Sequence, residues 1–372
     1  MARRLVQVVA ALVSAFLLVG FGYGWYEYRS LDSGLHRVHL ANLAPESGSG
    51  SHAHGVAQNI LLVGTDSRDG LSAAEQRLLS VGHDTSTSTD TIMVVHVPAD
   101  GSAATMISIP RDSYVDIPGP AHYVKNKINS AYASAYSDAQ GSAQQDQAAG
   151  MDELLATVHE LTGLEINHYI QVGFGGFYTI TKALHGITVN LCASTDDTIA
   201  HNIAAGNGRV GSNFKMTAGR HDLTPVQAFE FVRQRHFLHG EDIAREKRQR
   251  YFLTAAFDKI ASAGVLLDPS QLNNLIKAVT GAFAVDDTLK LTDLAGQMAN
   301  LSAKNITGFT IPTDGPATVS ILGRPSDVEL VTPAKVQAAI AKALAPVNHP
   351  RSTPSRSAAP ASQHATPHGC IY

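Results

Sequence analysis

A chain of 372 residues with 44% hydrophobic residues is long enough for one large core, and nothing in its make-up marks it as globally disordered. Its 28 Lys and Arg against 32 Asp and Glu leave a formal charge of -4, which excludes a polycationic surface for nucleic acid and makes any anion site local. No segment of solenoid or propeller length repeats.

Leu5 to Trp25 is almost wholly apolar, broken only by small residues and Gln7, and matches the roughly 20 residues that span a bilayer. Arg3 and Arg4 before it, with Tyr23, Trp25 and Tyr28 at its far end, place the N-terminus in the cytoplasm and the rest of the chain outside the cell. A cleaved signal peptide is the alternative, but the run exceeds the usual ~7 to 15 residues and no clear small-x-small cleavage site ends it. Either reading exports the remainder of the chain. The expected segmentation is a cytoplasmic N-terminus and transmembrane helix over 1–29, a Ser, Gly and His rich linker over 30–56, a folded extracytoplasmic domain over 57–346, and a flexible tail over 347–372 containing Pro350, Pro354, Pro360 and Pro367.

Ile60 to Val63 reads as a buried strand that stops at Gly64, leaving Asp66 and Arg68 just past a strand's carboxyl end, where open α/β sheets bind ligands. Ile92 to Val97 and Thr105 to Ile109 are strands joined by the turn-rich Pro98-Ala-Asp-Gly-Ser102, an antiparallel hairpin. Asp90 and Arg111 lie almost equally far from that turn, so both fall at the hairpin's open end, as a salt bridge or as part of a site. Met151 to Leu161 reads as a helix, and Tyr169 to Val172 and Ile187 to Leu191 as strands. Between them, Gly173-Phe-Gly-Gly-Phe177 lacks the Gly-Lys-Ser/Thr ending of a nucleotide loop and reads as a turn or a close-packing feature.

Thr224-Pro225-Val226-Gln227 is a capping box with Pro at the first helical position, opening a helix to Arg235. A second helix, over Ile243 to Ala261, has Asp242 as its expected N-cap, and Arg245, Arg248 and Gln249 share one face with Phe252. From Arg233 to Arg250 there are six Lys or Arg against three Asp or Glu, a local +3, and clustered Arg suits bidentate capture of phosphate. His236 and His239 lack a third metal ligand and read as structural or solvated. Helices around Leu272 to Phe283 and Pro333 to Leu344 and a strand at Thr307 to Ile311 complete a layered α/β domain. Carboxylates after strands, arginines and no Cys or His cluster fit a hard divalent cation bridging phosphates, with Mg²⁺ the natural choice. The two cysteines, Cys192 and Cys370, are free to pair in an oxidising compartment, although spacing alone does not establish it.

From about Gln58 to Ala261 the chain resembles the LytR-CpsA-Psr family of cell-wall glycopolymer transferases, actinobacterial members in particular. The matching stretches are Asn59 to Gly70, Thr89 to His96, Ser108 to Pro118, Lys127 to Tyr132, Gly173 to Phe177, Phe231 to Arg235 and Asp242 to Gln249. The resemblance implies an α/β fold, three-layer α/β/α with a central mixed sheet, whose apolar groove holds a polyprenyl chain and ends at a pyrophosphate and Mg²⁺. By position, Asp66 and Asp90 are the expected metal carboxylates. Arg68, Arg111, Lys127, Arg233, Arg235, Arg245 and Gln249 are expected around the pyrophosphate, with Asp66, Asp90, Arg111 and Asp242 as the catalytic set. Asp242 either orients arginines or acts as base. Two departures stand out: Ser88 replaces an Arg usual in relatives, and Arg220 stands where relatives often have Cys, leaving Cys370 as the only partner for Cys192. The loss at Ser88 implies a slower enzyme, an altered carrier or a compensating cation such as His83. The function expected is transfer of a glycopolymer from a polyprenyl-pyrophosphate carrier to a peptidoglycan hydroxyl at the outer face of the cell membrane. The alternatives are a catalytically weak polyprenyl-phosphate or glycopolymer binding module and a polyprenyl-pyrophosphate hydrolase. A DNA-binding regulator conflicts with export and with the absence of a basic recognition helix.

Overall fold

The computed structural model describes residues 34–45, 56–81, 87–119, 124–198, 212–238, 240–262, 269–298, 301–345 and 369–372. The expected membrane span and His83 lie outside them. Among the described residues, no helix is long and apolar enough to cross a membrane.

The chain enters through β1 (His36–Val38) and β2 (Gln58–Thr65), turns through α1 (Ala73–Leu78), and forms β3 (Thr89–Val97), β4 (Ala104–Ile109), β5 (Ser113–Ile117) and β6 (Val124–Lys127). Next come α2 (Asn129–Asp138), α3 (Ala143–Thr162), β7 (His168–Val172), α4 (Phe174–Ala183), β8 (Ile187–Leu191), β9 (Thr195–Asp196), β10 (Lys215–Met216) and β11 (Gly219–Leu223). The remainder is α5 (Pro225–Arg233), α6 (Glu241–Ser262), α7 (Pro269–Thr280), β12 (Phe283–Asp286), α8 (Leu291–Gln297), β13 (Ile306–Thr310), β14 (Gly315–Ile321), β15 (Arg324–Leu330) and α9 (Pro333–Leu344).

The central sheet has the order β1-β12-β7-β2-β3-β4-β13 and mixes directions: β2 runs parallel to β7 and antiparallel to β3, and β4 pairs antiparallel with β3 and parallel with β13. Strand periodicity then separates two faces. Leu61, Val63, Val94 and Ile107 point to one, where Leu154, Val158, Val336 and Ile340 of α3 and α9 close the main core. Leu62 and Gly64, of opposite parity, point to the other, toward α4, α5 and α6. There, Phe231, Tyr251 and Phe252 pack with Val189 and Leu191 in a second core.

Four expectations are corrected. The linker is not free over its whole length, because β1 adds a strand to β12 and buries Leu35, Val38 and Leu40. Three residues are too few for a visible alternating pattern. The tail likewise ends docked: Cys370 is disulfide-bonded to Cys192, and Ile371 bridges Leu191. Finally, α5 stops at Arg233, with Gln234 extended, and the segment expected as a helix to Phe283 splits into α7 and β12.

Candidate functional site

At the carboxyl ends of β2, β4 and β7 a cavity of about 380 Å³ opens between the second sheet face and helices α4, α5 and α6. Its walls divide sharply. Leu62, Val172, Phe177, Phe252 and Leu253 form an apolar part, and Asp66, Arg68, Asp90, Arg111, Arg233, Arg235, His236, Arg245 and Gln249 form a polar one. Phe177 lies against Phe252 at 4.5 Å between ring centroids and edge-on to Phe229 at 5.9 Å, so the aromatic lining is itself packed.

Backbone placement explains the convergence. Strand β2 ends at Thr65, after a register irregularity at Gly64/Thr65, so Asp66 and Arg68 ride the first free residues beyond it. The Gly-rich start of α4 comes so close to this segment that a Cβ on Gly175 would stand 1.9 Å from the Asp69 carbonyl oxygen. Of the two readings of 173–177, close packing holds and the turn does not, because a helix starts at Phe174, and Phe174 and Phe177 reach the cavity wall. The hairpin of β3 and β4 delivers Asp90 and Arg111 to one place, with Arg111 Nη1 donating to Asp90 Oδ1 at 2.7 Å. Arg233 closes α5, donates to the Leu79 carbonyl oxygen at 3.4 Å, and lies 4.9 Å over Phe229, at the seam between the apolar and polar parts.

Electrostatics make this end an anion trap. Five arginines against Asp66 and Asp90 leave a local 5 - 2 = +3 on the wall. Burial lowers the pKa of Arg233 and Arg245. Burial acts the same way on Arg111, but Asp90, Asp112 and Asp242 outweigh it and raise its pKa. The Nε atoms of Arg68 and Arg245 are buried without a hydrogen-bond acceptor, which costs about 1–3 kcal/mol each unless a ligand supplies one. Asp242 sits outside the wall as a hub, 2.6 Å from Arg235 Nε, 3.3 Å from Arg245 Nη1 and 3.9 Å from Arg111 Nε. Burial opposes its charge, yet Arg245, Arg235 and Arg111 hold its pKa below the ordinary value.

The carboxylates bear on a cation. Burial, then Asp90, pushes the pKa of Asp66 up to about 6, and no described residue donates a hydrogen bond to it. Two carboxylates lining one cavity, one of them without a hydrogen-bond donor, form a donor set of the hard oxygen type that Mg²⁺ takes when phosphate oxygens and water complete its shell. Among the described residues no group of three His, Cys, Asp or Glu forms a complete metal cage.

Of the residues singled out from sequence, Asp66, Arg68, Asp90, Arg111, Arg233, Arg235, Arg245 and Gln249 share this one cavity. Lys127 does not reach it; its Nζ lies 2.9 Å from Asp112, which in turn lies 3.6 Å from Arg111. Arg248 turns away from the Arg245 face. His236, read as structural or solvated, lines the cavity; its place directly after Arg233-Gln-Arg235 is the signal that could have found it. On the aromatic wall, Phe174 belongs to the 173–177 stretch already singled out, whereas Phe229 carries no sequence cue beyond that of an ordinary core residue.

The LytR_cpsA_psr family model matches residues 37–328. The chain is 34% identical to cell wall biosynthesis protein LcpA of Corynebacterium glutamicum over 82% of its own length. It is 32% identical to the teichoic acid transferase TagU of Oceanobacillus iheyensis, over 68% of this chain and 67% of that one. It spans 59% of the length of LcpA and 50% of that of LcpB. Among solved structures, protein gbs0355 of Streptococcus agalactiae superposes with a TM-score of 0.57 at 22% identity, covering 79% of this chain and 91% of that one. TagT bound to LI-WTA superposes with a TM-score of 0.56 at 20% identity, covering 82% and 97%. These two show a shared mixed α/β fold with a central mixed sheet.

Proposed function

The chain belongs to the LytR_cpsA_psr family, and from that premise we propose that it is a phosphotransferase moving a glycopolymer from a polyprenyl-pyrophosphate carrier to a peptidoglycan hydroxyl. The observation that carries this reading is the division of one cavity into an aromatic and aliphatic part and an end of five arginines and two carboxylates. An isoprenoid pyrophosphate has the same division. We further propose that the helix expected over Leu5 to Trp25 anchors the protein, with residues 57–346 as the catalytic domain outside the cell.

In this reaction the acceptor hydroxyl oxygen forms a bond to the sugar-linked phosphorus. The bond from that phosphorus to the bridging oxygen breaks, lipid phosphate leaves, and the hydroxyl proton is lost. The apolar wall holds the prenyl chain. Arg68 and Arg245 take phosphate oxygens with the Nε donors that the fold leaves unpaired, and Arg233 adds its charge beside them. Asp90 fixes the fork of Arg111, and Asp242 aligns Arg111, Arg235 and Arg245. The depressed pKa of Asp242 makes it a poor base, which favours the orienting role. Mg²⁺ bound by Asp66 and Asp90 would neutralise pyrophosphate charge.

The test incubates the full chain with a polyprenyl-pyrophosphate glycan and peptidoglycan, with and without Mg²⁺, and monitors released lipid phosphate together with the glycan phosphodiester. Wild type should form both, and Asp90→Ala and Arg111→Ala should lose both. Tight binding without release would establish a binding module, and release without the diester a hydrolase.

A further inference from the structure

The register of the central sheet determines which end of the domain the membrane anchor meets. His36 of β1 pairs with Ala284, and the neighbouring Phe283 of β12 pairs with Val172 of β7, whose own partner in β2 is Gly64. The chain therefore enters at the carboxyl ends of β2 and β7, the end that carries Asp66 and the cavity. Three strand spacings separate β1 from β2, about 14 Å. The entry point is pinned, because Leu35 is buried against Val285 and Leu289.

From Trp25, the end of the proposed span, to Gly34 there are nine peptide steps, a reach of about 30 Å when fully extended. A domain of about 290 residues has a radius of gyration of about 19 Å and a diameter of about 50 Å. The tether is too short to let the domain turn over and present its opposite pole, with the turn at Pro98 to Ser102, to the bilayer. That excludes the inverted orientation and keeps the cavity end within about 30 Å of the lipid.

That end carries apolar side chains that the fold leaves in solvent. Phe237 is 62% exposed and held at φ 61, a conformation uncommon for a bulky residue, directly after Arg235 and His236 of the cavity wall. Leu78 is 55% exposed beside Leu79, whose carbonyl accepts from Arg233, and Ile243 is 38% exposed on the first turn of α6 beside Asp242. We infer that Leu78, Phe237 and Ile243 form a rim that docks into the bilayer interface and seats the cavity mouth on the lipid, so that a prenyl chain passes from membrane to cavity without crossing water. An aromatic ring flanked by Arg and His suits the headgroup boundary. The inference rests on the anchored, polyprenyl-binding reading above.

The experiment uses the full chain in vesicles of phosphatidylethanolamine and phosphatidylglycerol, with Trp25→Phe removing the native indole. F237W and I243W are compared with A99W, on the β3–β4 turn at the far end, by quenching with lipids brominated near the headgroup. Strong quenching of F237W and I243W with none for A99W is expected. Unquenched F237W and I243W, equal quenching at both ends, or failure of the chain to float with the vesicles would each overturn the inference. As a second measurement, Leu78→Ser with Phe237→Ser should slow transfer from vesicle-embedded carrier at least tenfold and leave transfer from detergent-dispersed carrier unchanged. Equal loss in both settings also overturns it. Quenching without any transfer would leave the docked rim standing and sink the transferase reading; transfer in detergent without quenching would do the reverse.

Discussion

Arg245 and Arg248 leave the same helix one turn apart, are both buried, and stand in opposite situations. Arg245 faces the cavity with its Nε unpaired. Arg248, 1% exposed, donates Nε to the main-chain oxygen of Tyr372 at 3.0 Å and Nη1 to Gln234 Oε1 at 2.6 Å, while its guanidinium lies 4.7 Å over Phe231 and 5.5 Å over Phe214. Burial lowers its pKa to about 10, partly offset by Asp197, so it stays charged at neutral pH. Burial and charge do not separate a ligand-binding arginine from a structural one; hydrogen-bond completeness does. A satisfied guanidinium belongs to the fold, and an unsatisfied one waits for an anion.

The comparison breaks most directly by exchanging each arginine for methionine. Arg245→Met should cut transfer by about 10²–10³-fold, the usual cost of one preorganised donor to a reacting oxyanion, with unfolding free energy within about 1 kcal/mol of wild type. Arg248→Met should do the opposite. It leaves Gln234 and Tyr372 without their donor and should cost about 3 kcal/mol, seen as a lower denaturant midpoint, with turnover per folded molecule nearly unchanged. Similar losses of activity and stability in both variants would refute the distinction.

Helical spacing sets residues three and four apart side by side, so the sequence by itself groups these two arginines on one face. The cavity takes only the stripe of Arg245, Gln249, Phe252 and Leu253, and Arg248 falls on its flank toward Phe231. Periodicity does not say where a face ends; the neighbouring element does. Much else is legible for a physical reason. Chemistry at strand ends is set by where a hydrophobic run stops, so Asp66 and Arg68 are readable, and hairpin symmetry brings Asp90 to Arg111. The capping box at Thr224 has both reciprocal bonds. The features that escape depend on distant partners: the three residues of β1, the position of Lys127 behind Asp112, and the docking of Ile371 and Tyr372 at the end of the tail.

That tail sharpens the comparison, because it provides one of Arg248's two acceptors. Cys192 and Cys370 close a loop across 178 positions, and opening it by Cys370→Ser should cost about 3 kcal/mol. If the disulfide acts partly by holding Tyr372 over Arg248, the double variant Cys370→Ser with Arg248→Met should be less destabilised than the sum of the singles, by roughly 1 kcal/mol in a denaturant-based cycle. Strict additivity would detach the tail from the guanidinium.

Glu246, next to Arg245, offers the most specific test. It packs away from the cavity, where Thr310 Oγ1 donates to it at 2.9 Å, and burial pushes its pKa from 4.5 up to about 7, against Thr310, Arg250 and Arg245, which lower it. A carboxyl whose folded pKa is raised prefers to be protonated in the native state. Its contribution to stability is therefore complete below about pH 4.5 and is lost as pH rises toward about 7. Glu246→Gln keeps the shape and removes the titration, so the variant should gain on the order of 2 kcal/mol over wild type at pH 8 and nothing at pH 4. Unfolding free energies measured across that window should diverge between the two proteins, while the transfer rates, which depend on the cavity face of the same helix, should not. Parallel stability curves would mean that Arg250 and Arg245 keep Glu246 ionised throughout, and that this flank of α6 is held by an ion pair instead of a protonated acid.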